Sequence, residues 1–252
     1  MDPLLVRLLD AERSIVWYDK PAPDTESAIG LLRGTQPLLI SAPHSARHWR
    51  EGDWKQEEEY TAALGYLLHQ ATGAHFIYGR YLLNPDPHDD NDCGPYKAML
   101  DELFAETPIR LVLDLHGARG DRDFMVAVGT MSGESCVEYE QPLLAAFEEQ
   151  GFSFDSESSL DRLTLNPSRY TGGIRLPTIT RYAWRRHHIP AVQLELSAWV
   201  RIVERLPNAY NAVNGTAPHF RGDGSRIVRT YNALLNFIRD VLQKSSENPT
   251  PI

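Results

Sequence analysis

Three short apolar runs in this chain each end in a polar residue able to bind a metal or move a proton. Leu38-Leu39-Ile40-Ser41-Ala42-Pro43 leads into His44-Ser45, Leu111-Val112-Leu113-Asp114-Leu115 into His116-Gly117, and Val192-Gln193-Leu194 into Glu195-Leu196-Ser197. A histidine after proline is ordinarily a turn residue, and a buried histidine ordinarily bonds a nearby carboxylate or backbone group. A lone carboxylate in an apolar strand is harder to dismiss, because burial without a partner or a task is unfavourable. Together the three indicate a site assembled at strand ends, where rigid backbone holds reactive groups well. Imidazole and carboxylate donors suit Zn²⁺ among the common metals.

A catalytic zinc site takes about three protein ligands and leaves a position for water. His44 and His116 supply two. A carboxylate close to one of them should supply the third, and Glu51, Asp53, Glu57, Glu58 and Glu59 follow His44 closely. On a helix beginning near residue 57, Glu57 shares the inward face of Tyr60, Thr61 and Leu64, whereas Glu58 lies with Ala62 and Gly65. Helical phase favours Glu57, with Asp53 and Glu58 as alternatives. The plain reading of these acids is a preference for the positive end of a helix. Asp114 precedes His116 by two residues, shares its strand face, and is placed to orient its imidazole or sit by the metal.

These residues need elements to position them. Strands are expected at 15–18, 38–41, 75–78, 109–115, 124–129 and 191–196. Helices are expected within the first 13 residues and at 57–71, 96–105, 139–150 and 226–243, with Asp53 and Gln56 as a capping signal for the second. Alternating strands and helices predict an α/β fold, and continuously apolar runs predict central strands covered on both faces. Ligands of such sheets bind at the carboxyl ends of strands. The expected organisation is a single domain over 1–252, with 1–34 as an N-terminal extension and 245–252 as a frayed tail.

Composition narrows the partners. The 252 residues are 42% hydrophobic and 23% charged, with a formal net charge of −9. That balance is globular and gives no electrostatic footprint for nucleic acid or an anionic membrane. No run of 18 apolar residues and no signal-peptide pattern is present, so a cytoplasmic location is expected. Cys93 and Cys136 are too few for a disulfide framework. His187 and His188 read as loop residues, and His88-Asp89-Asp90-Asn91-Asp92 as a solvated loop at the rim of the site.

In order and spacing, residues 35–200 resemble the N-formylglutamate amidohydrolases, within the zinc carboxypeptidase-like hydrolases. The likeness is carried by Pro43-His44-Ser45, Asp53-Trp54, Arg80-Tyr81, Asp114-Leu115-His116-Gly117, Gly129-Thr130, Tyr170-Thr171-Gly172-Gly173, Thr180-Arg181-Tyr182 and Gln193-Leu194-Glu195-Leu196. It implies a three-layer α/β/α sandwich with a mixed, mostly parallel central sheet. It also implies one zinc per chain, His44 and His116 as ligands, Glu195 as the catalytic glutamate, and amide hydrolysis. Two departures stand out. Arg47 occupies the place where carboxypeptidases carry their acidic ligand, which again directs attention to Glu57 in the following segment. The family's Asp-x-Asn-Arg is matched to Asn84-Pro85-Asp86-Pro87, without the arginine, leaving Arg80, Arg175 and Arg181 as replacements.

The expected chemistry is metal-assisted hydrolysis of a small N-acyl amino acid or peptide-like amide. Glu195 would act as general base and acid, Arg80 or Arg181 would steady the oxyanion, and Arg175, Asn84 and Gly173 would bind substrate. The rival is a metal-containing ligand-binding protein of the same fold without turnover. A serine hydrolase is disfavoured, because no Gly-x-Ser-x-Gly elbow is present.

Overall fold

A computed structural model of the chain describes residues 1–89, 94–209 and 219–247, the side chains of 245–247 excepted. Asp90, Asn91, Asp92 and Cys93, and the side chains of the 245–252 tail, lie outside the described residues. Among the described residues, no helix is long and apolar enough to cross a membrane.

The core is a seven-stranded sheet in the order β1-β5-β2-β6-β9-β7-β8. Its centre is parallel: β5 (Ala74–Gly79), β2 (Gln36–Ala42), β6 (Leu111–Ala118) and β9 (Ala191–Ser197). β1 (Ile29–Leu32) runs antiparallel to β5 at one edge. β7 (Val126–Gly129) runs antiparallel to β9, and β8 (Leu163–Leu165) lies parallel to β7. The sheet is therefore mixed and mostly parallel. β5 and β9 are buried along their whole length, as strands covered on both faces must be.

Alternation along the strands sorts the two faces. Leu38, Ile40, Leu111 and Leu113 pack with α1 (Pro3–Ile15), α2 (Thr61–Thr72), α4 (Glu140–Glu149) and α6 (Gly224–Glu247). Leu39, Ile77 and Val112 pack with α3 (Pro95–Glu106) and α5 (Ile179–His187). The result is a three-layer α/β/α sandwich. Residues 1–34, read from the sequence as an extension, contribute α1 and β1 to it, and Leu8 is fully buried in the larger core.

Several expected elements differ in detail. The apolar 15–18 run forms no strand: Ile15 ends α1 and the next residues turn, with Trp17 N donating to Arg80 O at 2.9 Å. Residues 53–56 do not cap a helix. Asp53–Lys55 is β4, paired with β3 (His48–Arg50) across Glu51 and Gly52. Both turn residues have positive φ, 53° and 80°, which matches the twist of a tight hairpin. α2 starts only at Thr61, after Tyr60 at φ 65°. Its first amides are capped from outside, since Glu12 on α1 accepts from Tyr60 N at 2.5 Å and Ala63 N at 3.2 Å.

Candidate metal centre

The carboxyl ends of β2, β6 and β9, with the loop after β5, open into a cavity of about 870 Å³. His44 stands just past β2, while His116 and Glu195 face each other as register partners on β6 and β9. Because they are paired across adjacent strands, these two side chains lie on the same face of the sheet.

Glu58 joins them. Its Oε1 lies 3.3 Å from His44 Nδ1, and its Oε2 lies 3.0 Å from His116 Nδ1 while accepting from Gly117 N at 3.0 Å. Glu58 rather than Glu57 therefore reaches both imidazoles. The helical-phase reading fails because 56–60 precede the helix: in an irregular segment, neighbouring side chains diverge rather than follow a 3.6-residue period. Glu57 is buried but does not line the cavity. Asp53 sits exposed in the β3–β4 hairpin.

Tight bonds fix the Glu58 segment. Glu58 N donates to His44 O at 2.8 Å, and Thr61 Oγ1 donates to Glu58 O at 2.8 Å. Next door, Glu59 forms a fully buried ion pair with Arg205, 2.9 Å from Nη2 to Oε2. The fully buried Arg201 donates to the carbonyls of Glu59, Leu196 and Ala118, tying this segment to the ends of β9 and β6. Gly117 is required here, since a Cβ would stand 2.7 Å from the Arg201 guanidinium carbon.

Each imidazole backs onto an aspartate. His44 Nε2 donates to Asp86 Oδ1 at 2.9 Å, and His116 Nε2 approaches Asp114 Oδ2 to 3.3 Å without good hydrogen-bond alignment. Asp114 in turn accepts from Ser41 Oγ and from Thr180 N at the start of α5. Asp86 also pairs with Arg50.

This pattern tests whether a cation fits. With Nε2–H turned to an aspartate, a neutral imidazole presents the Nδ1 lone pair to Glu58, and lone pair against carboxylate is repulsive. Either both rings hold an extra proton or a cation sits among the three groups. Accordingly, without an ion, His44 is pushed up and His116 well up: burial opposes this, and the carboxylates of Asp86, Glu58 and Asp114 outweigh it. Burial raises Glu58, yet His116 and then His44 hold it well below the usual carboxylate range. Two imidazoles, a carboxylate and outer aspartates fit a zinc-type ion.

Glu195 lines the same cavity and accepts from Gln193 Nε2 at 2.7 Å. Burial pushes it up to about 7, against the lowering charge of His116. Arg175, Asn84 and Gly173 also line the cavity. Gly173 has φ 118°, and a Cβ there would stand 2.5 Å from Arg181 Cβ.

Arg80 and Arg181 do not line it. The Arg80 guanidinium lies 4.9 Å over the Trp17 ring and bonds Glu26 at 2.7 Å, so it serves the packing of the N-terminal segment. Arg181 belongs to the first turn of α5, with its N–H donating to Thr178. Neither is therefore placed to steady an oxyanion formed in that cavity. The structure places other cations here, Arg119, Arg122 and Arg169 among them.

Four participants went unrecognised in the sequence: Asp86, His88, His48 and Arg50. His88 is no rim residue, since its ring centroid lies 4.3 Å from that of His44 and 4.9 Å from that of His116. Asp86, in the Asn84-Pro85-Asp86-Pro87 stretch, stands behind His44. His187 ends α5 and bonds Asp101 at 2.8 Å, away from the centre.

The chain is thus an α/β/α sandwich with a polar centre at the carboxyl ends of its parallel strands. No protein-family model matches it, and no curated protein matches its sequence. Solved structures do match in fold. An N-formylglutamate amidohydrolase from Ralstonia eutropha gives a TM-score of 0.54 at 14% identity, over 86% of this chain and 99% of that one. A bacteriophage poly-γ-glutamate hydrolase gives 0.52 at 14% identity, over 87% and 92%. A protein from Agrobacterium tumefaciens gives 0.50 at 10% identity, over 88% and 97%. At these identities the likeness is one of fold, and it supports the resemblance carried by the sequence motifs.

Proposed function

We propose that this protein is a metal-dependent hydrolase, with zinc as the expected ion, that cleaves an amide bond in a small anionic N-acyl amino acid or peptide-like substrate. The observation that carries this reading is the convergence of His44 Nδ1 and His116 Nδ1 on the Glu58 carboxylate, in a cavity shared with Glu195. His44, Glu58 and His116 would hold the ion. When bound, it polarises a carbonyl and lowers the pKa of water toward ~7.

The chain's own groups do the rest. Glu195, poised at about 7, accepts a proton from the attacking water and returns it to the departing amine. A C–O bond forms, the C–N bond breaks, and a carboxylate and an amine leave. Asp86 would hold the His44 imidazole in one tautomer, and Asp114 stands beside Nε2 of His116.

The substrate class follows from charge. The chain as a whole carries −9, yet Arg122, Arg169 and Arg175 line the cavity, and none of them pairs with a carboxylate among the described residues. Unpaired guanidinium groups at a cavity select an anion. Two fold neighbours are named for N-formylglutamate and poly-γ-glutamate, both acidic amides. Metal analysis of protein purified without added metal, with a screen of N-formyl and N-acyl amino acids, tests the proposal. We expect about one divalent ion per chain and turnover that chelator abolishes. Absence of any ion, with stability unchanged in chelator, would overturn it.

A further inference from the structure

Resting on that reading, we infer that His88 is a further protein ligand of the metal beside His44, His116 and Glu58, in a five-coordinate shell that still leaves a position for water. One ring nitrogen from each of His44, His88 and His116 lies within 4.8 Å of the others. Ligand nitrogens about 2.1 Å from a zinc ion stand roughly 3.0–3.6 Å apart in such a shell. A closure of about 1–2 Å brings the three rings onto one ion.

His88 also has the loose end that a ligand needs. Its Nε2 is buried and has no hydrogen-bond partner among the described residues. Buried polar atoms are nearly always satisfied, so an orphaned nitrogen on a ring packed against two other imidazoles calls for a missing partner. The ring is braced for the role. His88 N donates to Asp86 Oδ1 at 2.8 Å, and the same oxygen receives His44 Nε2 at 2.9 Å. One buried aspartate therefore positions two neighbouring imidazoles.

Metal-stripped wild type, His88→Ala and His88→Asn, titrated with Zn²⁺ against a chromophoric chelator and with Co²⁺ by visible absorption, provide the test. Both variants are expected to bind zinc at least tenfold more weakly and to change the Co²⁺ ligand-field bands, while metal-free thermal stability stays close to wild type. Unchanged affinity in both variants overturns the inference. So does weaker binding with an unchanged Co²⁺ spectrum, which assigns His88 to positioning alone. The two proposals separate cleanly: wild type that binds no divalent ion sinks the metal reading itself, whereas normal binding in the variants sinks only the role of His88.

Discussion

Glu12 on α1 and Glu195 on β9 are both buried and both pushed up to about 7, in each case first by loss of water. Their surroundings differ. Glu12 is fully enclosed and takes three hydrogen bonds, from Tyr18 Oη at 2.5 Å, Tyr60 N at 2.5 Å and Ala63 N at 3.2 Å. Glu195 accepts from Gln193 and looks into the cavity. The contrast shows that a displaced carboxyl marks burial and not a task. What suits Glu195 to carrying a proton is its opening onto the cavity, whereas the oxygens of Glu12 are committed to starting α2.

The largest expected effect breaks this comparison on the side of function. Glu195→Gln keeps the shape and the bond network but removes the proton acceptor. Turnover should fall about 10²–10⁴-fold, with metal content and melting temperature little changed. Glu12→Gln should leave turnover per folded molecule close to wild type. Steady-state kinetics on both variants decides the matter, and equal losses in the two would erase the distinction.

Next in size is the support beneath the centre. Arg205→Met leaves Glu59 buried without its guanidinium partner. Breaking such a pair destabilises by about 3–5 kcal/mol, readable by denaturant unfolding. A loss below about 1 kcal/mol, the scale of a surface ion pair, would mean that neighbouring groups take over.

The pH dependence of stability sharpens the same contrast. Glu12 rises from an ordinary 4.5 to about 7 on folding. Between those values the folded state holds a proton that the unfolded state has lost, so stability is greatest below about 4.5, falls as pH rises, and levels off above about 7. At 1.36 kcal/mol per unit, the effect reaches about 3 kcal/mol. Glu12→Gln should flatten this part of the melting-temperature profile relative to wild type. An unaltered slope would mean that the three donors hold Glu12 ionised in the fold.

Much of the sheet was legible because buried parallel strands are written as uninterrupted apolar runs. His44, His116 and Glu195 stood out as polar residues ending such runs. What escaped notice had another grammar. Glu58 was obscured by assuming a helix four residues too early, since the left-handed Tyr60 that delays α2 leaves no mark in apolar periodicity. α5 carries Thr178 as its N-cap and a short Ile179, Tyr182, Ala183 stripe, but its many arginines hid the helical phase. Asp86 and His88 lie in a polar loop whose composition suggests solvent, and only the packing of that loop over β2 and β6 turns them inward. A carboxylate two residues from a histidine was the available signal.

The smallest expected effect concerns recognition. Arg122 lines the cavity, its Nε is buried with no hydrogen-bond partner among the described residues, and its guanidinium stands 6.0 Å from the Tyr170 ring. Burial raises Tyr170, and the charge of Glu195 adds to that. Arg122 thus shares the cavity with Glu195, and on the proposed reading it would meet a substrate carboxylate beside the scissile amide. Arg122→Ala should raise KM about tenfold, worth ~1.4 kcal/mol, with kcat within a few-fold. Comparing an acidic N-acyl amino acid with its neutral amide tells anchoring from general disturbance. If Arg122 binds the anion, the variant loses its preference for the acid and treats the neutral analogue as wild type does. Equal losses on both substrates would remove Arg122 from recognition and leave that role to the more exposed Arg169 and Arg175.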